Sequence, residues 1–287
     1  MKTLLVALAV ALAPTGSTQL SSRCDPATSS LSTASFVECA RVGTERYRDQ
    51  AAAILDGYRR IGRDFPAMGE HWIRVGLVFD GRLDASRPEV LSYVPVNGKP
   101  QLLGVAYAVP LLRGEEPPDG PAGPDAWHDH SRTVEDETVL PLHHTPGTAQ
   151  DGARLAMMHA WIWSLNPEGM FAADNWAIPY IRLGLTPHPT PSAPVAKALS
   201  LATGGRDYFE LAIETAARSQ PVEKQRVKVA MDRAQTEVQS IVRDIRGATL
   251  GEPQSERLAA TWAAMWSAID DALGAEARQR VAALTIR

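Results

Sequence analysis

The sequence is short of cysteine, of long apolar runs and of excess positive charge. Only Cys24 and Cys39 occur, so neither a CxxC redox pair nor a four-cysteine zinc site can be built. The apolar run Leu4 to Ala13 falls well short of the roughly 20 residues that a helix needs to cross a hydrocarbon core, and no later stretch approaches that length. No helical membrane span is therefore expected. Among 287 residues, 29 Lys+Arg stand against 33 Asp+Glu, for a net charge of -4. The basic excess that grips nucleic acid or anionic lipid by charge is missing. Familiar catalytic signatures are missing too: there is no GxSxG elbow, no HExxH, no Walker-type phosphate loop and no GxGxxG.

What is present is globular composition, with 45% hydrophobic and 22% charged residues. Lys2, the apolar run to Ala13 and the small and turn residues Pro14 to Thr18 have the outline of a secretory signal peptide, taken as residues 1–19. The expected location is outside the cytoplasm, periplasmic or extracellular. An exported chain with two cysteines most simply pairs them, so a Cys24–Cys39 disulfide is expected, tying the mature N-terminus to the first helix.

The pattern along the chain predicts an α+β fold. Ser35 and Glu38 suggest a capping box. Apolar residues at three- and four-residue steps from Phe36 to Ile61 predict one amphipathic helix over about 35–62. Val-, Leu-, Tyr- and Ile-rich runs predict strands at 72–79, 89–95 and 101–109, with Asn97-Gly98 as a tight hairpin turn. Residues 110–152 are rich in Pro and Gly and read as a long loop with a short strand at Thr138 to Leu142, because each Pro removes a ladder donor. The strand pattern returns over 155–164, and Asn166-Pro167-Glu168-Gly169 turns the chain. Residues 33–186 are thus expected to be a helix plus an antiparallel sheet or barrel-like β domain. Residues 187–194 form a Pro-rich linker, and 195–287 a helical hairpin or bundle. In that helical part Val227, Ala230, Ala234, Val238, Ile241 and Ile245 make one apolar stripe. Leu258, Trp262, Met265, Trp266, Ile269 and Leu273 make another. From Gly204 to Arg287 basic and acidic residues balance at 12 each, so the negative excess belongs to the first part.

The chemistry-bearing feature is histidine placement: six of the 7 histidines lie between His71 and His159. In the extended segment His128-Asp129-His130, residues i and i+2 face the same way, so two imidazoles can converge on one metal ion. His159, Trp161 and Trp163 alternate, placing an imidazole beside two indoles, the kind of apolar shell that limits water access to a metal. His71 heads the first expected strand. Against this, short HxH motifs in polar loops are often merely solvated, and a lone buried histidine is often a hydrogen-bonded core residue.

The run from His159 to Ala172, HAWIWSLNPEGMFA, resembles the signature HxWxWxxNPxGxF of an uncharacterised exported bacterial family. The likeness extends to Met68-Gly69-Glu70-His71-Trp72, to Pro88-Glu89-Val90-Leu91-Ser92-Tyr93, to Gly104-Val105-Ala106-Tyr107 and to Asn175, covering about residues 44–185. It implies a compact β-rich domain, with assembly into a homo-oligomer as an option, and no established activity. It also implies that His71, Glu89 and His159 act as a set, whereas His128 and His130 rest on spacing.

The leading expectation is an exported protein binding Zn, Cu or Fe through His71, His128, His130 and His159, since imidazole ligation does not choose among these metals. Glu89 is the nearby carboxylate, and Trp161, Trp163, Asn166 and Phe171 form the surround. Two alternatives stand beside it. One is a metal-free module in which Trp72, Trp161, Trp163 and Trp176 line a pocket for a small ligand or a protein partner. The other is a metal-dependent hydrolase or oxidoreductase with Glu89 or Glu137 as base.

Overall fold

The computed structural model describes Cys24 and residues 32–80, 82–112, 114–129, 154–190, 193–218 and 220–284. The leader at 1–19, the strand expected at Thr138 to Leu142, His130 and Glu137 lie outside the described residues. The fold is α+β, with a sheet curled into an antiparallel half-barrel. Its strands are β1 (Arg59–Phe65), β2 (Gly69–Ile73), β3 (Val90–Val96), β4 (Lys99–Leu111), β5 (Trp127–Asp129) and β6 (Arg154–Ala160). They lie in the order β1-β2-β3-β4-β6-β5. Asn97 and Gly98 both take positive φ, 51° and 73°, as a two-residue hairpin whose twist matches its strands requires. Val96 accordingly sits opposite Lys99.

Along β3, β4 and β6 the sheet buries both faces, which explains why these strands read as nearly continuous apolar runs. One face carries Leu91, Tyr93, Val105, Tyr107, Met158 and Ala160. It packs on α1 (Thr33–Thr44), whose Phe36, Val37, Cys39 and Ala40 are buried in the same cluster. Cys39 is disulfide-bonded to Cys24, with the two Cα atoms 5.6 Å apart. The other face carries Ile73, Val90, Ala106, Ala108, Leu155 and Met157.

The first expected helix is half as long as its periodicity suggests. Ser32, not Ser35, caps α1, accepting from the Ser35 amide at 3.3 Å. After a 3-10 turn at Glu45–Arg48, Asp49 caps a second short helix, α2 (Gln50–Leu55). Gly57 at φ 95° then reverses the chain into β1. Tyr58 and Ile61 are spaced for a helix as well as for a strand, and pairing with β2 decides between them, because it satisfies backbone groups along both segments. The strand expected at 72–79 is likewise moved: β2 ends at Ile73 and Val75–Val78 form a single helical turn, α3.

Among the described residues the remaining α-helices are α4 (Ile178–Arg182), α5 (Ala193–Leu201), α6 (Gly205–Ala217), α7 (Pro221–Asp244), α8 (Glu252–Ala272) and α9 (Ala275–Ala282). The two predicted stripes face inward on α7 and α8, with Val227, Val238, Ile241, Leu258 and Ile269 fully buried. One apolar cluster runs from Phe65, Ala67 and Met68 at the β1–β2 turn through Trp176 and Tyr180 into these helices. Arg182 donates two hydrogen bonds to the Asp64 carboxylate, pinning α4 to β1. Among the described residues no helix is long and apolar enough to cross a membrane.

Candidate functional site

Register places three histidines on one sheet face. His71 on β2 is opposite Ser92, which is opposite Gly104 on β4. His159 on β6 is opposite Ala106, and His128 on β5 is opposite Met157. Directly opposed residues share a face, as do residues two apart along a strand, so all three imidazoles leave the sheet on the side of Val90, Ala106 and Met157.

His71 and His159 are separated by two intervening strands, a span of about 14 Å in a flat sheet at the usual strand spacing. Their ring centroids are nevertheless only 5.5 Å apart. Two features close the gap. The sheet curls, and the residues beneath the rings are small: Ser92, Gly104 and Ala106 leave room for imidazoles to lean across. Gly104 is required by close approach as well, since a Cβ there would lie 2.9 Å from the Trp161 ring and 3.1 Å from the Ala160 carbonyl. His128 reaches His159 as a diagonal cross-strand neighbour, with centroids 5.2 Å apart.

His71 and His159 are each 1% exposed. His71 Nε2, His159 Nε2 and His128 Nδ1 are all sealed from solvent. His159 Nδ1 lies 2.6 Å from the Ala173 carbonyl oxygen. A carbonyl can only accept, so Nδ1 carries the hydrogen and, in the neutral ring, Nε2 carries the basic lone pair. This is the orientation that outer hydrogen bonds impose on metal-ligating histidines. It depends on the turn after Asn166: Gly169 N–H donates to the Asn166 carbonyl, and Asn166 Nδ2 donates to the Asp174 carbonyl at 2.7 Å, next to Ala173.

The donor set suits a borderline metal ion, and the spacing is near what one requires. A metal–nitrogen bond of about 2.0–2.1 Å puts each ring centroid about 3 Å from the ion, so tetrahedral ligands have centroids about 5 Å apart. As placed, however, no group of three or more His, Cys, Asp or Glu side chains among the described residues is arranged to hold a metal ion. The rings run in sequence through His159, and joint ligation would need them to turn about their side-chain torsions rather than travel.

The other expected site residues separate. Trp161 stays beside His159, centroids 5.6 Å apart, and donates from Nε1 to the Ala172 carbonyl at 2.8 Å. Trp163 does not share that face. The ladder ends at Ala160, Trp161 N–H turns to the Met170 carbonyl, and Trp163 packs with the opposite core, donating to Thr44 Oγ1 at 3.1 Å. Phe171 lies on that opposite side too, edge-on to Phe36 at 6.3 Å. Trp72, Trp161, Trp163 and Trp176 are distributed over three apolar clusters and do not form one joint lining.

Glu89 precedes Val90 and so alternates away from the histidine face. It is 2% exposed and accepts from the Ala108 amide at 3.1 Å. Burial, reinforced by the negative charges of Asp80 and Asp84, pushes its carboxyl up to about 8 against the two backbone hydrogen bonds that favour ionisation. A carboxyl held neutral near pH 7 can donate a hydrogen bond or act as an acid, yet its surroundings are Tyr58, Tyr107 and Asp84. The parts to which the sequence reading gave no role at the site are the small floor Ser92, Gly104 and Ala106 and the Ala173 carbonyl. The alternation Gly104-Val105-Ala106 within a strand was the available signal.

The fold and these residues define an α+β protein with three histidines in a row on one face of a curled sheet, His71 and His159 buried and His128 half-buried. Compared with protein-family models, curated proteins and solved structures, the chain has no match.

Proposed function

We propose that this is an exported protein that binds one transition-metal ion through His71, His128 and His159. The observation that supports this most is the convergence of imidazoles from β2, β5 and β6 on one buried face, the central ring tautomerically fixed by Ala173. Three neutral imidazoles are a donor set for Zn, Cu or Fe. The Cys24–Cys39 bridge supports an oxidising compartment, in keeping with the leader-like first residues.

A second reading has its own support. Phe65, His71, His159 and Trp161 form a continuous row of rings at 5.6, 5.5 and 5.6 Å, and such a row can serve as core packing alone.

Metal content of protein purified from the exported fraction, before and after loading with Zn²⁺, Cu²⁺ or Fe²⁺, separates the two. Binding predicts about one equivalent in the wild type, loss in His159→Ala and His71→Ala, and retention in the exposed control His188→Ala. Chelator then lowers the melting temperature of the wild type and of His188→Ala, and not that of His159→Ala or His71→Ala. Less than about one-tenth equivalent in every loaded preparation overturns the metal reading and leaves the packing one.

A further inference from the structure

A second concave site lies on the α1 side of the sheet, away from the histidines. The end of α1, the Arg74–Leu77 segment and the 84–87 turn enclose a cleft of about 480 Å³. That is within the usual range of about 300–1,000 Å³ for small-molecule sites. Its walls are built rather than incidental. Gly43 packs so tightly on the 84–87 turn that a Cβ would lie 2.0 Å from the Ser86 carbonyl oxygen. Asp84 Oδ1 holds the Ser86 amide at 2.9 Å and its hydroxyl at 2.7 Å, and Arg87 N–H donates to the Asp84 carbonyl. Tyr58 is locked by a 2.6 Å hydrogen bond to the Pro88 carbonyl and meets Tyr47 edge-on at 5.2 Å.

The charge of the lining is one-sided. Arg46, Arg74 and Arg87 face one acidic residue, Glu45, which pairs with Arg48 at 3.2 Å. Arg46 is taken by Asp56 and by the Tyr47 hydroxyl. Arg74 and Arg87 have no ion-pair partner among the described residues. Arg74 is half-buried, and its charge reaches the Tyr58 hydroxyl, where it offsets part of the burial that holds that phenol protonated. A partly desolvated guanidinium beside a concave surface attracts a carboxylate or phosphate oxygen pair, whose geometry matches its planar fork. Tyr47, Tyr58 and Leu77 supply apolar walls for the rest of such a molecule.

The geometry points to a binding site for a small organic anion, its carboxylate or phosphate head on Arg74 and Arg87 and its apolar body against Tyr47, Tyr58 and Leu77. This site is separate from the histidine row and stands whether or not a metal binds there.

Calorimetric titration of the full chain with benzoate, phenyl phosphate and neutral benzyl alcohol tests it, with Arg87→Gln, Arg74→Gln and the remote control Arg243→Gln beside the wild type. At least one anion binds, about tenfold or more tighter than benzyl alcohol, and added salt weakens it. Arg87→Gln costs about tenfold or more, as loss of a charge-assisted hydrogen bond should, while Arg243→Gln changes nothing. Preference for phenyl phosphate identifies a phosphate head and preference for benzoate a carboxylate one. Arg87 is exposed, so that variant carries the test even if Arg74→Gln fails to fold. The proposal is overturned by no binding of either anion at about 10 mM, by benzyl alcohol binding equally well, or by unchanged binding in Arg87→Gln.

Discussion

Glu89→Gln tests the electrostatics of the sheet most directly. The carboxyl is buried, takes one backbone N–H from Ala108, and lies in the field of Asp80 and Asp84, which together with burial raise it from 4.5 to about 8. A carboxyl whose folded-state value is raised binds its proton more tightly in the folded chain than in the unfolded one. Its contribution to stability is therefore fully present below pH 4.5 and is lost as pH rises towards about 8. At about 1.4 kcal/mol per pH unit, that interval sets a ceiling of about 5 kcal/mol. Relaxation and water entry around an ionised Glu89 reduce the expected loss to about 2–4 kcal/mol. Gln keeps an acceptor for Ala108 and cannot ionise, so the variant escapes this loss. Urea unfolding of both proteins from pH 5 to pH 9 reads the effect as a difference, in which every other titrating group common to the two chains cancels. The variant gains about 2–4 kcal/mol on the wild type between pH 5 and pH 9. Parallel curves, with the difference constant to about 0.5 kcal/mol, refute the claim that Glu89 is held neutral by its surroundings.

Two further outcomes follow from packing and covalent structure. Gly43→Ala places a methyl 2.0 Å from the Ser86 carbonyl, so α1 and the 84–87 turn must part. A loss of about 1–3 kcal/mol in urea unfolding is expected, together with weaker anion binding in the cleft, and wild-type stability would contradict the close contact. Reduction of Cys24–Cys39, which are 15 residues apart, opens a short loop and costs about 3 kcal/mol, seen as a lower melting temperature in dithiothreitol and in Cys24→Ser with Cys39→Ser.

The legible parts were those governed by local chemistry. Asn97-Gly98 declares its turn because few residue pairs take two consecutive positive φ values, and the α7 and α8 stripes declare their buried faces through a 3.6-residue period. The boundary between α2 and β1 was not legible, since Tyr47, Ile54, Tyr58 and Ile61 satisfy a helical spacing until Gly57 reverses the chain and β2 offers partners. Trp163 left its expected face for a similar reason: alternation holds only while the ladder lasts, and the ladder stops at Ala160.

By itself the sequence determined that this is a folded α+β chain of near-neutral charge, with one pair of cysteines to bridge and a row of histidines confined to its first part. Those properties follow from composition, turn residues and periodicity, which act over a few residues at a time. Tertiary structure alone decided that His71 and His159, 88 positions apart, lie ring to ring while Glu89 turns to the tyrosines of the opposite face. Sheet register and curl set those neighbours, and both depend on pairings between strands far apart in the chain. The same holds for Arg74 and Arg87, ordinary surface residues in the sequence that one tight contact between Gly43 and Ser86 gathers into a cleft.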